Sequence, residues 1–320
     1  MKYLNNNEFC FIKKILSLPS KSDKNLVLGP GDDCAQLNQW LISTDISVEN
    51  THFNLQWGSI EDAIYKCVLS NLSDLNAMGA KAEWALLGIC LNKSWGVQEQ
   101  EKIVSAFQGV LKKHQVGILG GDTVSGDIAS FQLTVFGRTP DGDKALLRSG
   151  AQPGENLYVT GELGASKAGL WALEHGVADK YPQLVRKHLL PEPPLALGPI
   201  LHKHQVGACI DLSDGLSSEM THIALQSGVK IEVDADKIPL AQGLEAFSKK
   251  NKLSALNLAL HGGEEYQLLF TSKLPESLLI LYLQVFKVTF IGRITKGEGV
   301  FLNTGDKGLI KVQPKVWSNL

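Results

Sequence analysis

Apolar positions along the chain change period several times, and each change marks an element. Phe9, Ile12, Ile15 and Leu16 fall at three- and four-residue steps, which predicts a short amphipathic helix ending before Pro19. Trp40 to Ile46 reads as a strand whose end delivers Ser43, Thr44 and Asp45. Ile60, Ala63, Ile64, Cys67, Val68, Asn71, Leu72, Leu75 and Met78 then recur with the period of a buried helix face, and Gly79 is placed to stop it. Asn71 interrupts that stripe, and Asp74 borders it one turn on. A carboxylate beside a buried stripe needs a partner, because an unpaired buried charge is very costly; a cation would serve.

Ala82 to Leu91 and Ser130 to Arg138 are apolar enough for central strands, with a helix from about Val97 to His114 between them. Val116 to Leu119 predicts a short strand ending in Gly120-Gly121-Asp122. The polar stretch around Asp141-Gly142-Asp143 and Pro153 is the best domain boundary, giving domains at 1–138 and 154–320 joined by a linker at 139–153. Beyond it, strands are expected at Asn156–Thr160, Val206–Leu212, Tyr266–Thr271 and Val288–Ile294, followed by two short ones. Helices are expected at Gly164–His175, Leu216–Gln226 and Pro275–Phe286, and Pro191, Pro193 and Pro194 break the tract between the first two. Strands sometimes follow one another directly, so the class is α+β, rich in α/β units, and not a purely parallel sheet.

Composition narrows the partners. With 31 Lys plus Arg against 33 Asp plus Glu in 320 residues, the formal charge is -2, so no basic face for nucleic acid is expected. The five cysteines are scattered, mostly in apolar runs, and form no C-x-x-C pair; they read as reduced thiols of a cytosolic protein. Asn5-Asn6-Asn7-Glu8 stands where a secretory signal would have its apolar core, and the longest apolar run, Leu278 to Phe286, is far short of the ~20 residues a membrane span needs. A cytoplasmic location, with no membrane partner, is the expectation.

Six acidic clusters, most beside glycine, serine or threonine, carry the chemistry: Gly31-Asp32-Asp33, Ser43-Thr44-Asp45, Ser73-Asp74, Gly120-Gly121-Asp122-Thr123, Asp211-Leu212-Ser213-Asp214-Gly215 and Gly262-Gly263-Glu264-Glu265. Alone, an Asp-Gly pair is usually a solvated turn. Six of them, several at strand ends, fit a hard cation such as Mg²⁺, which takes a few carboxylates and completes its shell with water and substrate phosphates. Other chemistries lack their marks. There is no Walker A run and no G-x-S-x-G, and no cysteine sits in a nucleophile motif. Position twelve from Asp211 is His222, which excludes an EF-hand. His202 and His204 read as surface histidines, and Gly161 to Lys167 as a tightly packed helix start rather than an anion site. His52 fits either a loop hydrogen bond or a functional site; Arg148 either a phosphate fork or a bridge between domains; Trp317 either packing or stacking on a flat cation.

Taken in order, these motifs resemble the thiamine-monophosphate kinases, a family of the PurM-like superfamily of ATP-using enzymes. The resemblance runs from Gly31-Asp32-Asp33-Cys34-Ala35 through Asn50-Thr51-His52-Phe53, Asn71-Leu72-Ser73-Asp74-Leu75 and Arg148-Ser149-Gly150 to Gly262-Gly263-Glu264-Glu265-Tyr266. It implies a PurM-like two-domain architecture, a homodimer formed through the N-terminal strands, and transfer of the ATP γ-phosphoryl group to thiamine monophosphate with several Mg²⁺ ions. On this chain it implies Asp33, Ser43, Thr44, Asp45, Asp74, Asp122, Asp211 and Asp214 as magnesium ligands, Gly121, Asp122, Arg148 and Ser213 as nucleotide contacts, and His52, Glu264 and Trp317 at the thiamine moiety. Three positions depart from the family pattern: Pro30 replaces an aliphatic residue, and the usual Gly-Gly-Glu-Asp-Tyr-Glu run has Glu265 and Gln267 at its fourth and sixth places. The nearest rival is another PurM-like ATP-dependent enzyme; a branch with a reactive cysteine in a glycine-rich N-terminal loop is disfavoured because none of the five cysteines has that setting, and a branch with a C-terminal cysteine because the chain ends Trp317-Ser318-Asn319-Leu320. A non-catalytic cation-binding protein is the alternative of a different class.

Overall fold

The computed structural model describes residues 7–16, 23–142, 144–204, 206–283, 285–305 and 308–314. Asp143, at the expected boundary, and Trp317 lie outside them. Two sheets organise the chain. The first has the order β1-β2-β3-β6-β4-β5, built from β1 (Leu26–Leu28), β2 (Ala35–Leu37), β3 (Trp40–Val48), β4 (Lys81–Asn92), β5 (Gly117–Gly126) and β6 (Ser130–Arg138). Only β4 and β5 run parallel. The Ile60–Ala77 and Val97–His114 helices pack on one face. Phe131, Leu133 and Val135, alternate residues of β6, point into this core with Ile64, Cys67, Leu75 and Phe107. The opposite face carries exposed apolar side chains, among them Ile46, Trp84 and Leu86.

The second sheet has seven strands, β7 (Asn156–Thr160), β8 (Cys209–Asp211), β9 (Lys230–Asp234), β10 (Leu268–Ser272), β11 (Val288–Thr295), β12 (Gly299–Asn303) and β13 (Leu309–Lys311), in the order β13-β12-β9-β11-β7-β10-β8. Here both faces are covered. Leu157 and Val159 of β7 pack with Met220 and Ile223 of the Leu216–Ser227 helix, while Tyr158 between them faces Leu201 and Phe270 on the other side. The mixed sheets bear out the α+β expectation. No helix among the described residues is long and apolar enough to cross a membrane.

Several boundaries differ from the sequence reading. β5 does not stop at Leu119: parallel pairing with β4 carries it through the Gly-Gly-Asp motif to Gly126. The Val206–Leu212 strand shrinks to Cys209–Asp211, and the Pro275–Phe286 helix to Glu276–Tyr282. The N-terminal helix forms over Asn7–Leu16, with Ile12, Ile15 and Leu16 exposed.

The Ile60–Ala77 helix joins the halves. A Ser59–Asp62 capping box starts it, and 14 of its 18 residues are buried, so it behaves as a core rod, not a surface helix. Its last turn reaches the second half, where Asn76 Oδ1 accepts the Gly198 amide at 2.8 Å and Asn76 Nδ2 donates to the Pro194 carbonyl.

Candidate active site

Three backbone elements converge on one acidic cluster. The Gly31–Asp33 loop supplies Asp33, the Ile60–Ala77 helix supplies Asp74, and the end of β8 supplies Asp211; one carboxylate oxygen from each lies within 4.8 Å of the other two. Hydrogen bonds fix them. Ser43 Oγ donates to Asp74 at 2.5 Å and Ser73 Oγ to Asp211 at 2.6 Å, so the helix both contributes an aspartate and orients one across the cleft. The Arg148 guanidinium grips Asp33 directly and lies 3.6 Å from Asp32, whose other oxygen accepts the Arg148 amide at 3.1 Å. Arg148 thus ties its own segment to the Gly31–Asp33 loop.

Crowding sets the electrostatics. Burial, with the neighbouring charges of Asp45, Asp211 and Asp33, pushes Asp74 well above the usual carboxylate range. Asp211 rises to about 8 through burial and Asp33, although Ser73 and Arg148 oppose the shift. Asp33 Oδ2 is buried without a hydrogen-bond partner. Hard, oxygen-only donors packed closer than their charges tolerate, with one orphaned oxygen, fit a divalent cation such as Mg²⁺.

Asp45 sits at the exposed rim of this cluster, and its amide donates to Asn71 Oδ1 at 3.0 Å. Asn71 is therefore a clamp: fully buried in the helix, it holds β3 through one end of its amide and donates to the Cys67 carbonyl through the other. A strand sends alternate side chains to opposite faces, so Ser43 and Asp45 turn toward the helix while Thr44 turns away and donates to the Leu133 carbonyl.

Beside the aspartates lie two adjoining cavities. The inner one, about 250 Å³, is lined by Asp45, Asp74 and Tyr266. The outer one, about 270 Å³, is lined by Trp57, Lys167, Leu170 and His188. His52, Phe53, Lys66, Asp214 and Glu264 line both. Glu264 is held in the left-handed region at φ 61° and faces Lys66 Nζ at 2.7 Å and His188 Nδ1 at 3.5 Å. Burial raises its carboxyl, but the Lys66 ammonium foremost, with His188 and His52 beside it, holds it below the usual range, while burial keeps the His188 imidazole neutral by pushing it down to about 3. His52 Nδ1 accepts the Val48 amide at 3.2 Å, the loop hydrogen bond considered for it, and its Nε2 is left for the cavity.

Two models of the AIR synthase related protein family match the chain, the N-terminal domain over residues 31–139 and the C-terminal domain over 152–304. A curated thiamine-monophosphate kinase of Buchnera aphidicola subsp. Schizaphis graminum (strain Sg) is 38% identical over 317 residues, covering 95% of this chain and 96% of the relative. The chain belongs to the thiamine-monophosphate kinase family. The Escherichia coli (strain K12) enzyme of that name is 37% identical over 82% of each chain. Among solved structures, the thiamine-monophosphate kinase of Stenotrophomonas maltophilia K279a superposes with a TM-score of 0.76 at 31% identity, covering 93% of this chain and 96% of that one. "AaThiL complexed with AMPPCP and TMP" superposes at 0.82 with 29% identity, over 100% of this chain and 98% of that one.

The residues that family resemblance singles out separate into three groups. Asp33, Ser43, Asp45, Asp74, Arg148 and Asp211 meet at the acidic cluster, and His52, Ser213, Asp214 and Glu264 meet at the cavities. Thr44, Gly121 and Asp122 stand elsewhere. Asp122 is exposed on β5 and accepts its neighbour Thr123's amide, while a Cβ on Gly121 would lie 1.9 Å from the Leu87 carbonyl, so the glycine is needed for strand packing. Trp317 is outside the described residues.

Other residues of the site had no motif to announce them. Lys66 and His188 became site residues only through Glu264, and Glu219 through the Asp214 amide, which donates to its Oε1 at 2.7 Å. Glu265 also finds a role: its Oε1 accepts the Gly164 and Ser166 amides at 2.7 and 3.0 Å. The glycine-rich helix start thus has a buried acceptor built in, one residue past Glu264.

Proposed function

We propose that this protein transfers the γ-phosphoryl group of ATP to thiamine monophosphate, yielding thiamine diphosphate and ADP. The observation that carries the reading is the joined pair of cavities, one ending on a convergent aspartate cluster and the other walled by aromatic rings and an ionised Glu264. Phosphates belong at the first and a cationic heterocycle at the second. Relatives named for this activity, and a relative solved with AMPPCP and TMP, support it.

Mg²⁺ held by Asp33, Asp74 and Asp211, with Asp45 and Asp214 at the rim, would supply charge neutralisation for the polyphosphate. The chain's own residues do the rest. Arg148 keeps Asp33 oriented, Ser43 and Ser73 fix Asp74 and Asp211, and Phe53, Trp57 and Glu264 position the acceptor. A phosphate monoester has its second pKa near ~6, so the acceptor arrives largely dianionic and needs no general base. Positioning and electrostatics then suffice for direct in-line transfer. The exposed apolar face of the first sheet and the edge strand β5, with Ile118, Leu119 and Val124 exposed, support a homodimer formed through these strands. The substrates and the scattered thiols support a cytoplasmic setting.

The deciding experiment incubates the purified protein with ATP, Mg²⁺ and thiamine monophosphate and looks for thiamine diphosphate by chromatography. No product above the heat-inactivated control would reject the proposal. With γ-labelled ATP, label retained on the protein would reject direct transfer, and light scattering at the mass of one chain would reject the homodimer.

A further inference from the structure

Lys66 is a charged side chain buried where the fold alone gives it no use. It stands between Ile64 and Cys67 in the Ile60–Ala77 helix, and the residue is only 8% exposed. Burying an ammonium is costly unless it is paired. Its counter-charge is Glu264, 2.7 Å away, yet Nζ makes no aligned hydrogen bond, and an ammonium carries three donors. Both side chains line both cavities, so the pair sits at the junction between them. Lys167, also on this wall, lines the outer cavity alone.

The proposed acceptor has the same charge pattern in reverse. A thiazolium ring is a permanent cation, and the phosphate lies a short chain away. An anion and a cation fixed side by side at the junction therefore match a ligand that is itself positive at one end and negative at the other. We infer that Lys66 binds the phosphate of the substrate, giving up its contact with Glu264, which then pairs with the cationic ring. The inference builds on the function proposed above. Each buried charge has a partner both before and after the exchange, so neither state leaves one uncompensated. The exchange also gives the acceptor phosphate a cation on the side where it would otherwise face Asp45 and Asp74. The sequence motifs could not show this, because Glu264 and Lys66 meet only in the folded chain.

The test is calorimetric binding of thiamine and of thiamine monophosphate, without ATP, to the full chain and to Lys66→Met, Lys66→Arg and Lys167→Met. The unaltered protein should prefer the monophosphate. Lys66→Met should weaken monophosphate binding about ten- to a hundredfold, the scale of a charged hydrogen bond. Thiamine itself should bind Lys66→Met as well as before or more tightly, since Glu264 is then free for the ring. Lys66→Arg should restore most of the preference, and Lys167→Met should keep it. If Lys66→Met does not fold, the double variant Lys66→Met with Glu264→Gln, which removes both buried charges, takes its place and should show no preference. A Lys66→Met protein that keeps the preference, or loses both ligands equally, overturns the role of Lys66 while leaving the kinase reading intact, and so does loss of the preference in Lys167→Met. An unaltered protein that binds neither ligand overturns both.

Discussion

The two walls of the cleft are both lined with acids, and their charge balance differs. On the aspartate wall three carboxylates lie within 4.8 Å, Arg148 touches one of them, Asp33, and Asp74 and Asp211 are pushed upward. On the opposite wall Glu264 meets Lys66 and His188 and is held below its ordinary range. The first wall is short of positive charge, whereas the second carries its own. Glu265 makes the same point one residue on. Among the described residues no cation touches it in the way Lys66 touches Glu264, and although backbone amides oppose the shift, burial raises it to about 7. What a carboxylate does here depends on what faces it, and residue type alone does not tell.

The largest effect that would sharpen this comparison comes from the aspartate wall. Asp74→Asn and Asp45→Asn should each lower turnover by more than about a hundredfold in the coupled ADP assay, the scale of one electrostatic contact to a transition state. Near-normal turnover in both would remove that wall from the reaction. Glu264→Gln, on the balanced wall, should act mainly on binding, raising KM for thiamine monophosphate about tenfold with a smaller change in kcat. A pure kcat loss would break the distinction.

Smaller effects appear in stability. Mg²⁺ should raise the melting temperature of the unaltered protein, and the Asp74→Asn/Asp211→Asn double variant should lose that response. Without metal the double variant should melt about two to four degrees higher than the unaltered protein, since about 1 kcal/mol of like-charge repulsion is relieved. The smallest effect belongs to Glu265→Gln. Because the folded carboxyl titrates near 7 and the unfolded one near 4.5, the fold binds the proton more tightly; the contribution is full below about 4.5 and is lost as pH rises through 7. Glutamine keeps the acceptor for Gly164 and Ser166 without that loss. The gap between variant and unaltered protein should therefore move in favour of the variant from pH 5 to pH 8 in thermal melts, and a gap that moves the other way would show the carboxylate to be the stabilising form.

How far the sequence foretells this site depends on the range of the contact. Asp74 and Asp211 were legible because each stands in a serine-containing motif on or at the end of an apolar period, and Asp33 because it follows Gly31 in an acidic pair. The helices at Val97–His114 and Ile60–Ala77 were legible for the same periodic reason. Thr44 shows the limit of motif reading, since it shares a motif with Ser43 and Asp45, but the pleat turns it to the other face. Lys66, His188 and Glu219 carry no local mark, because their partners come from other elements or from the turn before a helix. β1 and β2, three residues each, leave too short a pattern to register, and the Gly-Gly-Asp run in β5 was masked by the turn preference of its own residues.

The last turn of the Ile60–Ala77 helix has a further consequence. It is rooted in the first half, yet Ser73 holds Asp211 and Asn76 holds the segment at Pro194 and Gly198. The peptide crossover between the halves is thus not alone in joining them. Fragments cut at that crossover would stay clasped by the helix end, and halves made separately would rebuild the pocket in the act of docking, since the groups that fasten them also shape its floor.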